Sequence, residues 1–278
     1  MRKGPGDNPL YVFLHTPKCA GTTLTYHFRQ HLAPDEMLAL YLAAPGLYHD
    51  PTTGRQETLR TWEEIDERLS ALTPEHRGRV RVIYGHDAFI GLERWFGDRN
   101  VRYFTFLRDP VELLLSWYKM FRRILERRGT LERFRLEASG LQDDHGQVRP
   151  FRDWFLATEA LYPALAHNNM TRHFGHRFLR DPSPHRIYGP AQLETCKAAL
   201  ETCCRVGTVR TFSRHAEELC RELGLPLTLV NRNYSPKYAT VEELGDFVDV
   251  IRRCNRLDTA LYEHAVRLDP LADAVQRT

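Results

Sequence analysis

The residues best suited to chemistry open the chain in His15-Thr16-Pro17-Lys18-Cys19-Ala20-Gly21-Thr22-Thr23-Leu24. Gly21 lets a backbone approach an oxyanion closely, and a helix beginning there offers unpaired N–H groups and its positive dipole end. Thr22 and Thr23 add hydroxyl donors, and Lys18 adds a mobile point charge. Together, Pro17 to Thr23 read as an anion cradle. The spacing is not that of the nucleoside-triphosphate loop G-x-x-x-x-G-K-[ST], because the lysine precedes the glycine and no paired glycine opens the loop. Taken alone, the loop also fits a plain strand-to-helix turn with a threonine cap.

A second anchor is Arg108-Asp109-Pro110-Val111-Glu112-Leu113-Leu114-Leu115-Ser116-Trp117-Tyr118. Asp109 suits a helix N-cap, Pro110 the first helical position, and Glu112 a reciprocal capping contact. Capping thus accounts for Asp109 and Pro110. It leaves Arg108 at a strand end and Ser116 further along the helix, where a guanidinium and a hydroxyl can hold a second phosphate. A surface ion pair for Arg108 and a filler role for Ser116 are the plain alternative.

These motifs need elements to hold them. Residues 10–15 form a short apolar run followed by a helical segment from about Gly21 to Leu32. Further runs are Val80–Tyr84, ending in Gly85-His86, then Val101–Leu107 before a helix to about Arg127, and Arg205–Val209 before a helix from Arg214 to Leu223. Residues 241–268 read as helix. Short apolar strands alternating with longer helices predict an α/β fold, a mostly parallel sheet flanked by helices on both faces. Ligands of such sheets bind beyond the carboxyl ends of the strands, where every motif above falls. Residues 1–9 read as a flexible N-terminus, 10–270 as one domain with polar inserts near 45–61 and 128–150, and 271–278 as a tail.

Composition narrows the classes. The 278 residues, 42% apolar and 27% charged, allow an ordinary core. A net charge of +3 is too small to imply a nucleic-acid or membrane surface. No run approaches about 18 apolar residues, so no membrane span is expected, and the N-terminus lacks the apolar segment of a signal peptide. The six cysteines show no C-x-x-C pair, which argues against disulfide stapling and a zinc site and favours a reducing cytoplasm.

The two loops together resemble those of sulfotransferases that use 3′-phosphoadenosine-5′-phosphosulfate (PAPS), in the branch holding the heparan sulfate 2-O-sulfotransferases and many bacterial relatives. That family's loops read approximately H-x-P-K-[TC]-[AG]-[GS]-T-[ST] and R-D-P-x-x-x-x-x-S-x-Y, matched here by HTPKCAGTT and RDPVELLLSWY. Tyr84-Gly85-His86, Asn168-Asn169-Met170-Thr171-Arg172, Val206-Gly207-Thr208-Val209, Asn231-Arg232-Asn233 and Leu257–Tyr262 follow in the family's order, so the resemblance covers about residues 10 to 265. The chain departs from the pattern at Leu113, where a basic residue is common, and at Val209-Arg210, where an acidic one is.

The resemblance implies a P-loop-like sheet, with Pro17, Lys18, Cys19, Ala20, Gly21, Thr22 and Thr23 on the 5′-phosphosulfate and Arg108 and Ser116 on the 3′-phosphate. It also implies Lys18 at the leaving oxygen, His86 as general base, and no metal. His15 is a weaker base candidate, and Asp87 a possible orienter of His86. Thr208 and Phe212 are the candidate adenine contacts, and Arg232 and Lys237 further phosphate contacts. The expected acceptor is a hydroxyl-bearing small molecule or glycoconjugate. Two rivals stay open. An ATP- or GTP-dependent kinase would need a Walker lysine and a magnesium-binding carboxylate. A non-catalytic nucleotide-binding protein would be expected to lack Lys18 or His86.

Overall fold

Strands β1 (Leu10–Leu14), β2 (Met37–Ala39), β5 (Val82–Gly85), β6 (Val101–Leu107) and β7 (Arg205–Thr208) form one sheet in the order β2-β5-β1-β6-β7. Every pairing in it is parallel. The structure is a computed structural model and describes residues 9–42, 48–50, 54–128, 140–180, 188–227 and 238–272. All five residues of β1 are buried. Side chains alternate between the faces of a strand, so both faces of β1 are covered, and its sequence is a continuous apolar run rather than an alternating one. The protein is α/β, with a parallel sheet flanked by helices.

The strand order places the site. From β1 the chain runs through α1 (Gly21–His31) to β2 on one side, whereas from β6 it runs through α4 (Pro110–Arg128) toward β7 on the other. β1 and β6 are neighbours, so their connections diverge and open a crevice at their carboxyl ends. The Lys18 loop and Arg108 stand on either side of that divide.

The four apolar runs are all strands. The short edge strand β2 and a hairpin of β3 (Tyr48–His49) with β4 (Gln56–Glu57), inside the expected 45–61 insert, were not expected from the sequence. The C-terminal helical stretch is broken into a short 3₁₀ turn, α10 (Phe247–Cys254) and α11 (Arg256–Leu268). Gly245 lies at φ 51 and Asn255 at φ −114, ψ 37, outside helical geometry, and an apolar period does not report such breaks. Residues 1–8, 129–139 and 273–278, which hold most of the expected termini and much of the second insert, lie outside the described residues.

Two apolar cores meet along α4. Leu113 packs into the core around the sheet, while Val111, Leu114, Leu115, Tyr118 and Phe121 join Trp154 and Phe155 of α5 (Phe151–Leu161) in the second. No helix among the described residues is long and apolar enough to cross a membrane.

Candidate active site

The turn from β1 into α1 is built around two left-handed residues that are not glycine, Lys18 at φ 64 and Ala20 at φ 63. Each costs roughly 1–2 kcal/mol of backbone strain, and such outliers collect at ligand-binding turns. The N–H groups of Thr16, Cys19 and Thr23 reach the Leu14, Thr16 and Ala20 carbonyls. Those of Ala20, Gly21 and Thr22 take no backbone acceptor among the described residues, as expected at the first turn of a helix. Ala20, as N-cap, offers no side-chain oxygen to them. The buried Oγ1 of Thr16 also has no hydrogen-bond partner among the described residues. This donor set at a helix start suits a phosphate or sulfate oxyanion.

Gly21 is required by its neighbour, because a Cβ there would fall 2.0 Å from the His15 ring. His15 is buried, stacked on Phe13 at 5.1 Å between ring centroids, with Nδ1 3.0 Å from the Tyr41 hydroxyl. Burial, reinforced by the charges of His86, His173 and Lys18, holds its pKa well below the ordinary histidine value. It stays neutral and fills the space behind the cradle.

Positive charge converges on the loop. Arg108 donates to the Lys18 carbonyl at 3.2 Å and pairs with Glu112 at 3.5 Å. Lys18 Nζ lies 5.8 Å from the centre of the Trp117 ring. Burial, then Arg123, then Arg108 bring the Lys18 pKa down to about 8. A lysine crowded by two guanidinium groups marks a place where an anion would be strongly favoured. Arg123 lies seven residues beyond Ser116 on α4, hence on the same helical stripe. Its link to Lys18 is spatial, set by the packing of α4 against the loop rather than by a motif. Cys19 is buried, and burial pushes its thiol up to about 12, so it packs rather than reacts.

His86 follows Gly85, where β5 ends. Gly85 sits at φ 147, and a Cβ there would fall 1.9 Å from the Leu40 carbonyl oxygen. That glycine lets the chain turn so that His86 Nδ1 donates to the His15 carbonyl at 2.7 Å. The bond fixes the tautomer and leaves Nε2 with a free lone pair. Burial lowers the His86 pKa to about 4, with Arg177 and Lys18 adding to the effect against the His15 hydrogen bond. The orienter of His86 is therefore the His15 carbonyl. Asp87, the candidate orienter from the sequence, instead accepts from the Leu42 N–H at 2.7 Å and from Arg177 at 2.6 Å.

A third imidazole, His173 of α7 (Asn169–His173), stands edge-on to His86 at 5.7 Å. Its Nε2 is buried without a hydrogen-bond partner among the described residues. Burial first, and His86 second, hold its pKa well below the ordinary value. Nothing in the sequence pattern near 173 pointed to this proximity.

The other predicted residues fall elsewhere or are differently engaged. Asp109 caps α4 through the N–H groups of Val111 and Glu112, at 2.9 and 3.2 Å. Glu112 does not return to the cap and pairs with Arg108 and Arg210 instead. Ser116 is half-buried on α4, Pro17 is half-buried, Thr22 exposed and Thr23 buried. Thr208 is buried and tied to Thr211, which also donates to Asp269. Phe212 is 8% exposed and packs edge-on against Phe106 at 5.0 Å, inside the sheet core rather than in an open platform. Arg232 and Lys237 lie outside the described residues.

No protein-family profile matches the chain, and no curated protein matches it. Among solved structures, that of a sulfotransferase from Alicyclobacillus acidocaldarius aligns over 91% of this chain and 96% of that one, with a TM-score of 0.36 and 14% identity. A likeness at that level carries no argument about chemistry.

Proposed function

We propose that the protein is a sulfotransferase that moves a sulfuryl group from PAPS to the hydroxyl of a small-molecule or glycoconjugate acceptor. The observation that carries this reading is the pairing of Lys18, on the oxyanion-suited turn, with His86, whose pKa the Lys18 charge helps to lower and whose Nδ1 donates to the His15 carbonyl, leaving Nε2 as its basic nitrogen. The loop N–H groups from Ala20 to Thr22 and Lys18 would hold the 5′-phosphosulfate, and Arg108 with Ser116 the 3′-phosphate. PAPS supplies a sulfuryl group on a phosphate leaving group. His86 Nε2 takes the acceptor's hydroxyl proton as the oxygen attacks sulfur, becoming an imidazolium. Lys18 meets the negative charge left on the departing phosphate oxygen, in a loose in-line transfer of the kind known for phosphoryl groups.

A kinase on the same architecture would want a carboxylate at a strand end to hold magnesium. The two strand-end candidates, Asp87 and Asp109, are engaged with Arg177 and with the start of α4. Isothermal titration with adenosine 3′,5′-bisphosphate, beside AMP and ATP with magnesium, tests the reading. Binding that requires the 3′-phosphate and falls at least about tenfold in Arg108→Ala, the loss of one charged contact, is the expected result. Equal binding of ATP with magnesium would return the kinase.

A further inference from the structure

Glu159, His167 and Cys254 are remote in sequence, yet one ligand atom from each lies within 4.8 Å of the others. Glu159 comes from α5, His167 follows the single turn of α6 (Pro163–Ala166), and Cys254 ends α10. The Glu159 carboxylate accepts from His167 Nε2 at 2.9 Å and from Cys254 Sγ at 3.7 Å. We propose that these three side chains form a binding site for a zinc-class divalent cation, with water as the fourth ligand. The site shares no residue with the Lys18–His86 crevice and does not depend on the sulfotransferase reading.

Donor chemistry selects the ion. One thiolate, one imidazole and one carboxylate suit zinc or cobalt, whereas magnesium and calcium take oxygen sets. Zinc bonds of about 2.0–2.3 Å set tetrahedral donors about 3.3–3.7 Å apart. Cys254 and Glu159 already stand at the upper end of that range, and His167 need retreat from Glu159 by only about half an ångström. All three side chains are part-exposed, which leaves an ion a route in.

The frame is fixed independently of any ion. Asn255, next to Cys254 and buried, donates through Nδ2 to the Ala166 carbonyl at 2.8 Å and accepts from the Asn168 N–H at 2.7 Å. Those two partners flank His167. Asn168 in turn accepts from the Leu257 N–H at 2.9 Å. The backbones that carry the sulfur and the imidazole are thus clasped from both sides, the kind of support that positions metal ligands. On binding, the Cys254 thiol gives up its proton to solvent and ligates as thiolate. His167 releases the Nε2 proton it had given to Glu159, carries its one ring proton on Nδ1, and ligates through Nε2.

The test is a cobalt(II) titration of the full chain, stripped with a chelator and kept reduced. The expected result is a thiolate-to-cobalt charge-transfer band that saturates at one ion per chain and disappears when zinc displaces the cobalt. Cys254→Ser should lose the band, while Cys204→Ser, at an exposed cysteine elsewhere, should keep it. Glu159→Gln, which retains shape, should weaken binding by about 10-fold or more, as ligand-shell changes do. No band in the unaltered chain, a band unchanged in Cys254→Ser, or unchanged affinity in Glu159→Gln would each overturn the site. The unaltered chain and Glu159→Gln decide the matter if Cys254→Ser does not fold.

Discussion

Burial draws Lys18 down to about 8 and His86 down to about 4, so the lysine charged and the histidine neutral coexist across the interval between them. For the proposed sulfuryl transfer, kcat/KM should therefore rise through an acid limb near 4, as His86 loses its proton, and fall through an alkaline limb near 8, as Lys18 does. Lys18→Ala should lower kcat by about 10²–10³, the usual loss for one preorganised donor, and remove the alkaline limb. Arg123→Ala is the sharper probe, because Arg123 is the leading charge that depresses Lys18. Its loss should move the alkaline limb upward in a pH–rate profile, while a limb that stays in place would detach Arg123 from the site. The same shifts bear on stability. A histidine whose folded pKa lies below its unfolded value binds fewer protons when folded, so the fold should lose stability as pH falls from about 6.5 toward 4, with His15 and His173 acting in the same direction.

At the scale of elements, two strand ends depend on glycines for different physical reasons. A Cβ on Gly21 would meet a side chain, the His15 ring, at 2.0 Å. A Cβ on Gly85 would meet backbone, the Leu40 carbonyl, at 1.9 Å, at a φ of 147 that other residues rarely adopt. A side chain can rotate away, whereas the Leu40 backbone, held by hydrogen bonds to the Tyr84 carbonyl and from the Asp87 N–H, cannot. Gly85→Ala should therefore destabilise the fold more than Gly21→Ala in urea unfolding, with Gly21→Ala costing about 1–3 kcal/mol as an overpacked site. His15→Ala combined with Gly21→Ala should recover part of that loss, since the clash needs both groups. Equal costs, or no recovery, would mean the turn tolerates the Cβ by another route. These glycines also show what was legible in advance. β1, β5, β6 and β7 were readable because strands buried on both faces are continuous apolar runs, and Gly21 and Gly85-His86 were readable because they punctuate those runs. β2 was not, since three residues are too few to show a pattern. The breaks at Gly245 and Asn255 are set by local backbone geometry, and Arg123 and His173 reach the crevice only through tertiary packing.

At the scale of the molecule, α11 locks α7 in place through Asp258, a fully buried carboxylate that accepts from the Met170 N–H at 2.9 Å and the Thr171 N–H at 2.7 Å. α7 also brings His173 beside His86, so this clasp joins the helical half of the molecule to the crevice. Burial raises the Asp258 pKa from 3.8 to about 6, against the pull of its hydrogen bonds with Thr171 and Met170. An acid whose folded pKa is raised binds more protons when folded, so its contribution to stability grows as pH falls through about 6 toward 3.8 and shrinks above. Asp258→Asn keeps the shape but puts a donor where one of two acceptor oxygens stood, which should cost about 1–3 kcal/mol for the N–H left unpaired. The amide does not titrate. The histidine effects cancel in the comparison, because both proteins carry them. The advantage of the native chain over Asp258→Asn, measured by denaturant midpoints, should therefore widen between pH 7 and pH 4. An advantage that narrows instead would mean that the two N–H groups outweigh burial and keep Asp258 ionised, so that the clasp is strongest when charged.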